Sequence, residues 1–385
     1  MRTLLHVTAD YPDRLNPRKT TAVARLVETV SWAENIVFSL NRVATPRFDW
    51  QMHRETPMLY SAAYYGLPFG VGLAHWMDVV ANRILRQLRI DDHHPALIHA
   101  HKLTFEGIAA SELSQQLAIP YCITVRGHTD HRVIKAKPFL RRRYRQIIEG
   151  ASRVFFIAPW SRLRLEQQLD IAISQAVMLP NICADFEAVD ASPTTSNRFV
   201  SVFHFRNHRV KNIANVFRAL RLLTLAGQDV TLDVVGGADQ QEIELVQGLA
   251  LRHGVARQVT VLRAMTHAEM KPRMGGYAGL LLPSYPETFG LVYIEALSAG
   301  LPVIHARNSG IDGYFDDIGV ATGVDHHDPV AIAQAMSHLL SHQAECKAEV
   351  RLFRARGGLD IFGATSVSAV YQREIEGALN AASRA

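Results

Sequence analysis

The chain reads as an α/β protein of two Rossmann-like domains, and three observations carry that expectation. At 385 residues it is too long for one ordinary hydrophobic core. Short apolar runs of strand length alternate with stretches of helical length through both halves, the pattern of parallel sheets covered by helices. One stretch, Leu280 to Ile304, contains a complete strand, loop, helix and strand.

In that stretch Leu280 to Leu282 suits a buried strand, and Pro283 and Pro286 stop it. Gly290 admits the chain to a helix on which Val292, Glu295, Ala296 and Ala299 follow at helical spacing. Gly300 and Pro302 end the helix, and Val303-Ile304 starts the next strand. The loop thus stands at the carboxyl end of a strand, where open α/β sheets bind ligands. The N–H groups of Phe289, Gly290 and Leu291 at the helix start suit an anion. Glu287 and Glu295, with seven residues between them, can share a helix face.

Composition narrows the class. A hydrophobic fraction of 48% with 20% charged residues describes a globular protein, not a disordered or fibrous one. The net charge of +5 fits anionic small ligands, an anionic membrane surface or nucleic acid without separating them. Cys122, Cys183 and Cys346 are odd in number and form no CxxC pair, as expected of free thiols in a reducing compartment. The N-terminal apolar run is too short for a signal peptide and reads as a first strand. With no apolar run long enough to span a bilayer, the expected location is the cytoplasm.

In chain order, Thr3 to Ala9 is a strand. Asp10-Tyr11-Pro12 opens a loop carrying Arg18, Lys19, Thr20 and Thr21, with a helix starting near Pro17. Ile36 to Leu40 is the second strand. From Pro57 to Leu88, Tyr60, Tyr64, Tyr65, Phe69 and Trp76 crowd a segment interrupted by Gly66, Pro68, Gly70 and Gly72. It reads as loop and helix, lining a cleft, touching a membrane interface or packing on the sheet. Ala96 to His101 and Tyr121 to Val125 are strands, the second leading into Arg126-Gly127-His128-Thr129-Asp130. Phe139 to Ile148 gives a helix with Leu140, Tyr144, Ile147 and Ile148 on one stripe beside Arg141, Arg142, Arg143 and Arg145. That helix suits an anionic membrane or a sheet. Arg153 to Ala158 is a strand and Pro159 to Leu169 a helix. Asp190 to Asn197 is polar and linker-like.

Phe199 to Phe205 opens the second half as a strand, followed by Arg206 and, five positions on, Lys211. Arg can bridge two phosphate oxygens and Lys supplies a point charge. Val230 to Val235 runs into Gly236-Gly237, and Val259 to Leu262 is another strand. Thr266 and Glu269 form a capping box, Asp328 is an N-cap with Pro329 after it, and Ser366 to Ala381 is the final helix. The pairs His93-His94, His99-x-His101 and His326-His327 lack a cysteine or carboxylate at fixed offset, so no zinc site is expected.

The pattern E-x-F-G-L-x-x-x-E-A-L-x-x-G-x-P-V-I, from Glu287 to Ile304, resembles the E-x7-E signature of retaining glycosyltransferases with the GT-B fold, especially glycosyltransferase family 4. The resemblance implies two Rossmann-like domains facing a cleft. These are an acceptor-side domain of residues 1–182, joined by a crossover helix at 366–385, and a nucleotide-sugar domain of residues 183–365. It implies that Glu287 lies near the transferred sugar, Glu295 binds the ribose, and the amides of Phe289, Gly290 and Leu291 approach the donor. Arg206 and Lys211 then neutralise the diphosphate in place of a metal, and no D-x-D occurs in the chain. The turn Arg126 to Asp130 resembles the family's cleft-facing turn, which makes Arg126 a donor-side candidate and His128 and Asp130 catalytic candidates. Phe205 and Asn212 stand where the family has glycines, and the first loop lacks the family's Gly-Gly pair.

The implied activity is retaining transfer of a sugar from a nucleoside diphosphate to an acceptor hydroxyl, with no metal or cofactor and no nucleic acid. The expected acceptor is a lipid-linked saccharide of bacterial exopolysaccharide or lipopolysaccharide assembly, with the protein at the inner face of the cell membrane. The alternatives are a nucleotide-sugar epimerase, which releases nucleoside diphosphate without an acceptor, and a regulator that binds the donor without turnover.

Overall fold

The computed structural model describes residues 2–43, 51–183, 195–316 and 318–383. They form two compact units. The first is Met1–Ile157 with Ser161–Ile182 and Ala364–Ala385; the second is Ala158–Trp160 with Cys183–Gly363.

The first unit is built on eight strands: β1 (Arg2–Thr8), β2 (Ala33–Val43), β3 (Gln51–Thr56), β4 (Leu59–Tyr65), β5 (Leu97–Ala100), β6 (Tyr121–Val125), β7 (Arg153–Phe156) and β8 (Ala176–Met178). They lie in the order β3-β4-β2-β1-β5-β6-β7-β8, and every pair is parallel except β3 with β4. Leu5 of β1 sits opposite Ile36 of β2 and Ile98 of β5. Strands covered on both faces are apolar on both faces, which is why they read as runs rather than alternations. On one face Met77, Val80 and Ile84 of the helix Leu73–Ile90 join the core of Phe38, Tyr60 and Ile98. On the other, Val367, Tyr371, Ile375 and Leu379 of the helix Ala364–Ala382 pack with Leu4, Leu97, Cys122 and Phe155.

The second unit carries β9 (Arg198–Val202), β10 (Thr231–Gly237), β11 (Val259–Arg263), β12 (Leu280–Leu282), β13 (Val303–Ala306) and β14 (Ala321–Val324), all parallel, in the order β11-β10-β9-β12-β13-β14. Counted within the unit this is 3-2-1-4-5-6, the doubly wound order in which the winding reverses between strands one and four. Phe199, Val200, Leu280, Leu281, Val303 and Ile304 are fully buried at its centre. Gly236 is required here, because a Cβ on it would stand 1.7 Å from the Phe203 carbonyl oxygen.

Several local expectations are corrected. The first helix starts at Ala22 rather than near Pro17. The preceding loop is closed by reciprocal backbone bonds between Asp13 and Asn16 and by buried Lys19, which donates to Asp13, Ser39 and the Leu40 carbonyl. With its ammonium committed in this way, Lys19 serves the loop. Leu59–Tyr65 is strand β4, not loop or helix, and its aromatic residues Tyr60 and Tyr64 are buried. The stripe Tyr144, Ile147 and Ile148 faces the core, so it presents nothing to a membrane. The capping box of Thr266 with Glu269 and the Asp328 cap are both present. Most of the linker-like segment 190–197 lies outside the described residues. No helix among the described residues is long and apolar enough to cross a membrane.

Candidate active site

In the second unit the winding reverses between β9 and β12, and the loops that leave the carboxyl ends of those strands carry Lys211 and Glu287. Such a reversal leaves a crevice, because the two loops depart to opposite sides of the sheet. The structure brings the two side chains together: Lys211 Nζ forms an ion pair with Glu287 Oε2, both largely buried.

Each loop is braced. Tyr285 N and Ser284 Oγ donate to the Val210 carbonyl at 3.0 and 3.3 Å, tying one loop to the other. Ser284 Oγ also reaches Glu287 Oε2 at 3.3 Å. Glu287 N donates to Ser309 Oγ at 2.8 Å, Gly310 N donates to the Glu287 carbonyl at 2.9 Å, and Ser309 Oγ donates to the Ser284 carbonyl at 3.0 Å. Asn212 stands in the left-handed region at φ 58°, where asparagine is the best substitute for glycine. Its Nδ2 donates to the His326 carbonyl at 2.7 Å. This accounts for Asn212 in place of the family's glycine. Phe205, at the other glycine position, is buried beside Gly237.

The helix Leu291–Ser298 starts at Gly290, whose φ is 79°. A Cβ there would stand 2.3 Å from Tyr293 Cε2, and Tyr293 is locked by its hydroxyl donating to the Leu282 carbonyl at 2.7 Å. The N–H groups of Phe289, Gly290 and Leu291 meet no acceptor among the described residues. These N–H groups suit an oxyanion, and the Lys211 ammonium beside Glu287 is held in an ion pair with that carboxylate. The Phe289 ring is buried among Tyr314 and Phe362, so only its backbone faces this chemistry.

Glu295 lies one to two turns along the same helix, half-buried, with Oε1 3.7 Å from His267 Nδ1. Arg206 is 70% exposed at its side chain and pairs with Glu242 at 3.3 Å, while Lys211 pairs with Glu287.

In the first unit the winding reverses between β1 and β5, and the loops there bring Asp10 and Lys102 into a 2.7 Å ion pair. Asp130 is fully buried: it accepts from Thr104 N at 2.9 Å, Thr104 Oγ1 at 2.7 Å and Arg126 N at 3.3 Å. Burial raises its pKa, opposed by the Thr104 bonds. Arg126 is buried too, with Nη1 donating to Asn181 Oδ1 at 3.0 Å. Asp130 is thus held by hydrogen bonds within the unit, whereas the buried Arg126 Nε meets no hydrogen-bond acceptor among the described residues. His128 opens the helix His128–Ala136 and is half-buried.

Two groups escaped the sequence reading. Glu106 is fully buried, accepts from Ala9 N at 2.7 Å through Oε1, and has its pKa pushed up to about 7, chiefly by burial and against the pull of Lys102. His6 joins His99 and His101 in a buried cluster within one metal ion's reach. Hydrogen bonds organise it: His6 reaches Asn35 and His101 at 3.0 Å each, and His99 reaches Tyr371 and Thr124 at 2.7 Å each. Burial drops the pKa of His6 to about 4 and holds those of His99 and His101 well below the usual imidazole range. Only pairing across β1 and β5 joins His6 to the His99-x-His101 spacing.

Residues 22–182 match the glycosyl transferase 4-like domain, and residues 185–352 match the glycosyl transferases group 1. A D-inositol 3-phosphate glycosyltransferase of Salinispora tropica is 36% identical over 117 residues, covering 29% of this chain and 24% of that protein. One from an Arthrobacter species is 24% identical over 286 residues, 64% of this chain and 63% of that protein. These matches therefore span less than two thirds of the relatives' own length. Sucrose-phosphate synthase from Thermosynechococcus elongatus has a TM-score of 0.71 at 19% identity, covering 99% of this chain and 100% of that one. An Anabaena structure in complex with UDP has a TM-score of 0.67 at 14% identity, covering 98% and 100%. With two parallel-sheet Rossmann-like units and a glycosyltransferase model matching each half, the chain belongs to the glycosyltransferases of GT-B fold, a 4-like domain followed by a group 1 domain.

Proposed function

We propose that the protein transfers a sugar from a nucleoside diphosphate to an acceptor hydroxyl with the anomeric configuration retained and without a metal ion. The observation that carries this reading is the Lys211–Glu287 pair, assembled from the two loops that flank the winding reversal. Lys211 has two further donor positions for the diphosphate beside the helix amides, and Arg206 is exposed enough to swing onto it. Cations there stabilise the charge that grows on the departing phosphate, which removes the need for a metal. Glu295 holds the ribose and Glu287 positions the sugar. The departing phosphate takes the acceptor's proton as the acceptor attacks from the same face; trapping a covalent glycosyl-enzyme would overturn this route.

The acceptor is proposed to be a lipid-linked saccharide of bacterial exopolysaccharide or lipopolysaccharide assembly. A phosphorylated soluble acceptor is the second reading, favoured by the names of the inositol 3-phosphate glycosyltransferases that the chain resembles. The test is thermal stabilisation by a panel of nucleoside diphosphates and their sugars, followed by transfer assays with a lipid extract and with sugar phosphates. One base should stabilise the wild type and neither Lys211→Ala nor Glu295→Ala. No stabilisation by any nucleotide, with or without lipid extract, rejects the donor site. Nucleoside diphosphate release without an acceptor, leaving no new glycoside, favours the epimerase.

A further inference from the structure

The first unit carries an exposed apolar point that the chemistry above does not use. Phe69 is 94% exposed, Phe139 74% and Val71 59%. The two phenylalanines come from separate turns, one before the helix Leu73–Ile90 and one before the helix Arg141–Gly150. Lys137 makes them neighbours: its Nζ donates to the Phe69 carbonyl at 2.9 Å and lies 5.8 Å from the Phe139 ring. Phe69 stands at φ 56°, a conformation few residues other than glycine adopt. A bulky residue held in that conformation with its ring in water is costly twice over, which points to a use for the ring.

Charge identifies the partner. From His131 to Ile148 the chain has seven lysines and arginines and no acid. Arg143 pairs with Asp78, and Arg145 donates to the Leu169 carbonyl. Arg132, Lys135, Arg141 and Arg142 are exposed and meet no acid among the described residues. Three apolar side chains are too few for the core of a stable protein interface. Exposed rings beside unpaired cations suit the headgroup layer of an anionic bilayer, where rings enter and cations stay with the phosphates.

We propose that this edge docks the protein on an anionic lipid surface, Phe69, Val71 and Phe139 entering the headgroup layer while the four cations hold the lipid phosphates. The anchor is this point rather than the stripe of Tyr144, Ile147 and Ile148, which the core takes. The inference deepens the lipid-linked acceptor reading and rests on it for its purpose.

The test is sedimentation with vesicles of phosphatidylglycerol mixed into phosphatidylcholine, and of phosphatidylcholine alone. The proteins are the wild type, Phe69→Ser with Phe139→Ser, and Arg141→Glu with Arg142→Glu. The wild type should sediment with the anionic vesicles only and be released by raised salt, and each double variant should bind about tenfold more weakly or worse. Absence of wild-type binding overturns the proposal, as does equal binding by all three proteins. A wild-type dimer without vesicle binding, lost in Phe69→Ser with Phe139→Ser, assigns the surface to a second copy and also overturns it. Nucleotide stabilisation measured on the same proteins separates the two readings. Vesicle binding without it sinks the donor site alone, and the converse sinks the anchor alone.

Discussion

At the scale of single residues, charge placement sets the expectations. Lys211→Ala removes the ammonium and leaves the largely buried Glu287 without its cation. Steady-state kinetics should show kcat/KM lower by about 100-fold, with most of the loss in kcat if the charge acts on the transition state. Glu106 titrates in the opposite direction from a paired carboxylate. Its pKa is raised in the folded protein, so its contribution to stability is present below pH 4.5 and is lost as the pH rises to about 7. For a fully buried group this amounts to about 3 kcal/mol. Glu106→Gln keeps an acceptor for Ala9 N and should flatten the fall in stability across that window, read by denaturant unfolding at several pH values. Lys211 and Glu287 could be singled out because their spacing and surroundings follow a known pattern, though nothing in the sequence pairs the one with the other. Glu106 was not: a lone glutamate at a helix start reads as a solvated first-turn acid, and only the packing around it shows otherwise.

At the scale of elements, the turn into the helix Leu291–Ser298 is the most constrained. Gly290→Ala sets a Cβ against Tyr293 at a strained φ, and the turn must move to admit it. A loss of about 1–3 kcal/mol in unfolding free energy is expected, together with weaker nucleotide binding, because the helix amides turn with the loop. The strand, loop and helix here were readable from Pro283, Pro286, Gly290, Gly300 and Pro302, which punctuate the chain whatever surrounds it. Strand β4 was not. Its tyrosines and the glycines after it resemble an irregular aromatic segment, and it becomes a strand because β2 offers it a parallel partner. The start of the first helix moved for a similar reason, since Lys19 buries itself on a residue of β2 that no local pattern names.

At the scale of the whole molecule, pH acts from the other side through the buried histidines His6, His99 and His101. Their pKa values are lowered by burial, so the unfolded chain takes up protons first as the pH falls below 6.5 and stability is lost, for His6 down to about 4. Calorimetry should show the melting temperature falling through that range, and Tyr371→Phe should lower it further at neutral pH by removing a hydroxyl bonded to His99. The alternation of strands and helices was enough to foresee two doubly wound units, since it depends only on burial periodicity. Which residues meet at each winding reversal was not, because strands distant in sequence decide it.

The helix Ala364–Ala382 finishes a unit that began at Met1. During synthesis, β1 to β8 leave the ribosome with Leu4, Leu97, Cys122 and Phe155 still lacking the side chains that cover them, and the entire second unit is made before Tyr371 arrives. The unit translated first is therefore the last to reach its native state. Until then it offers an apolar sheet face to the cell's chaperones, while the second unit has its whole sequence available to fold.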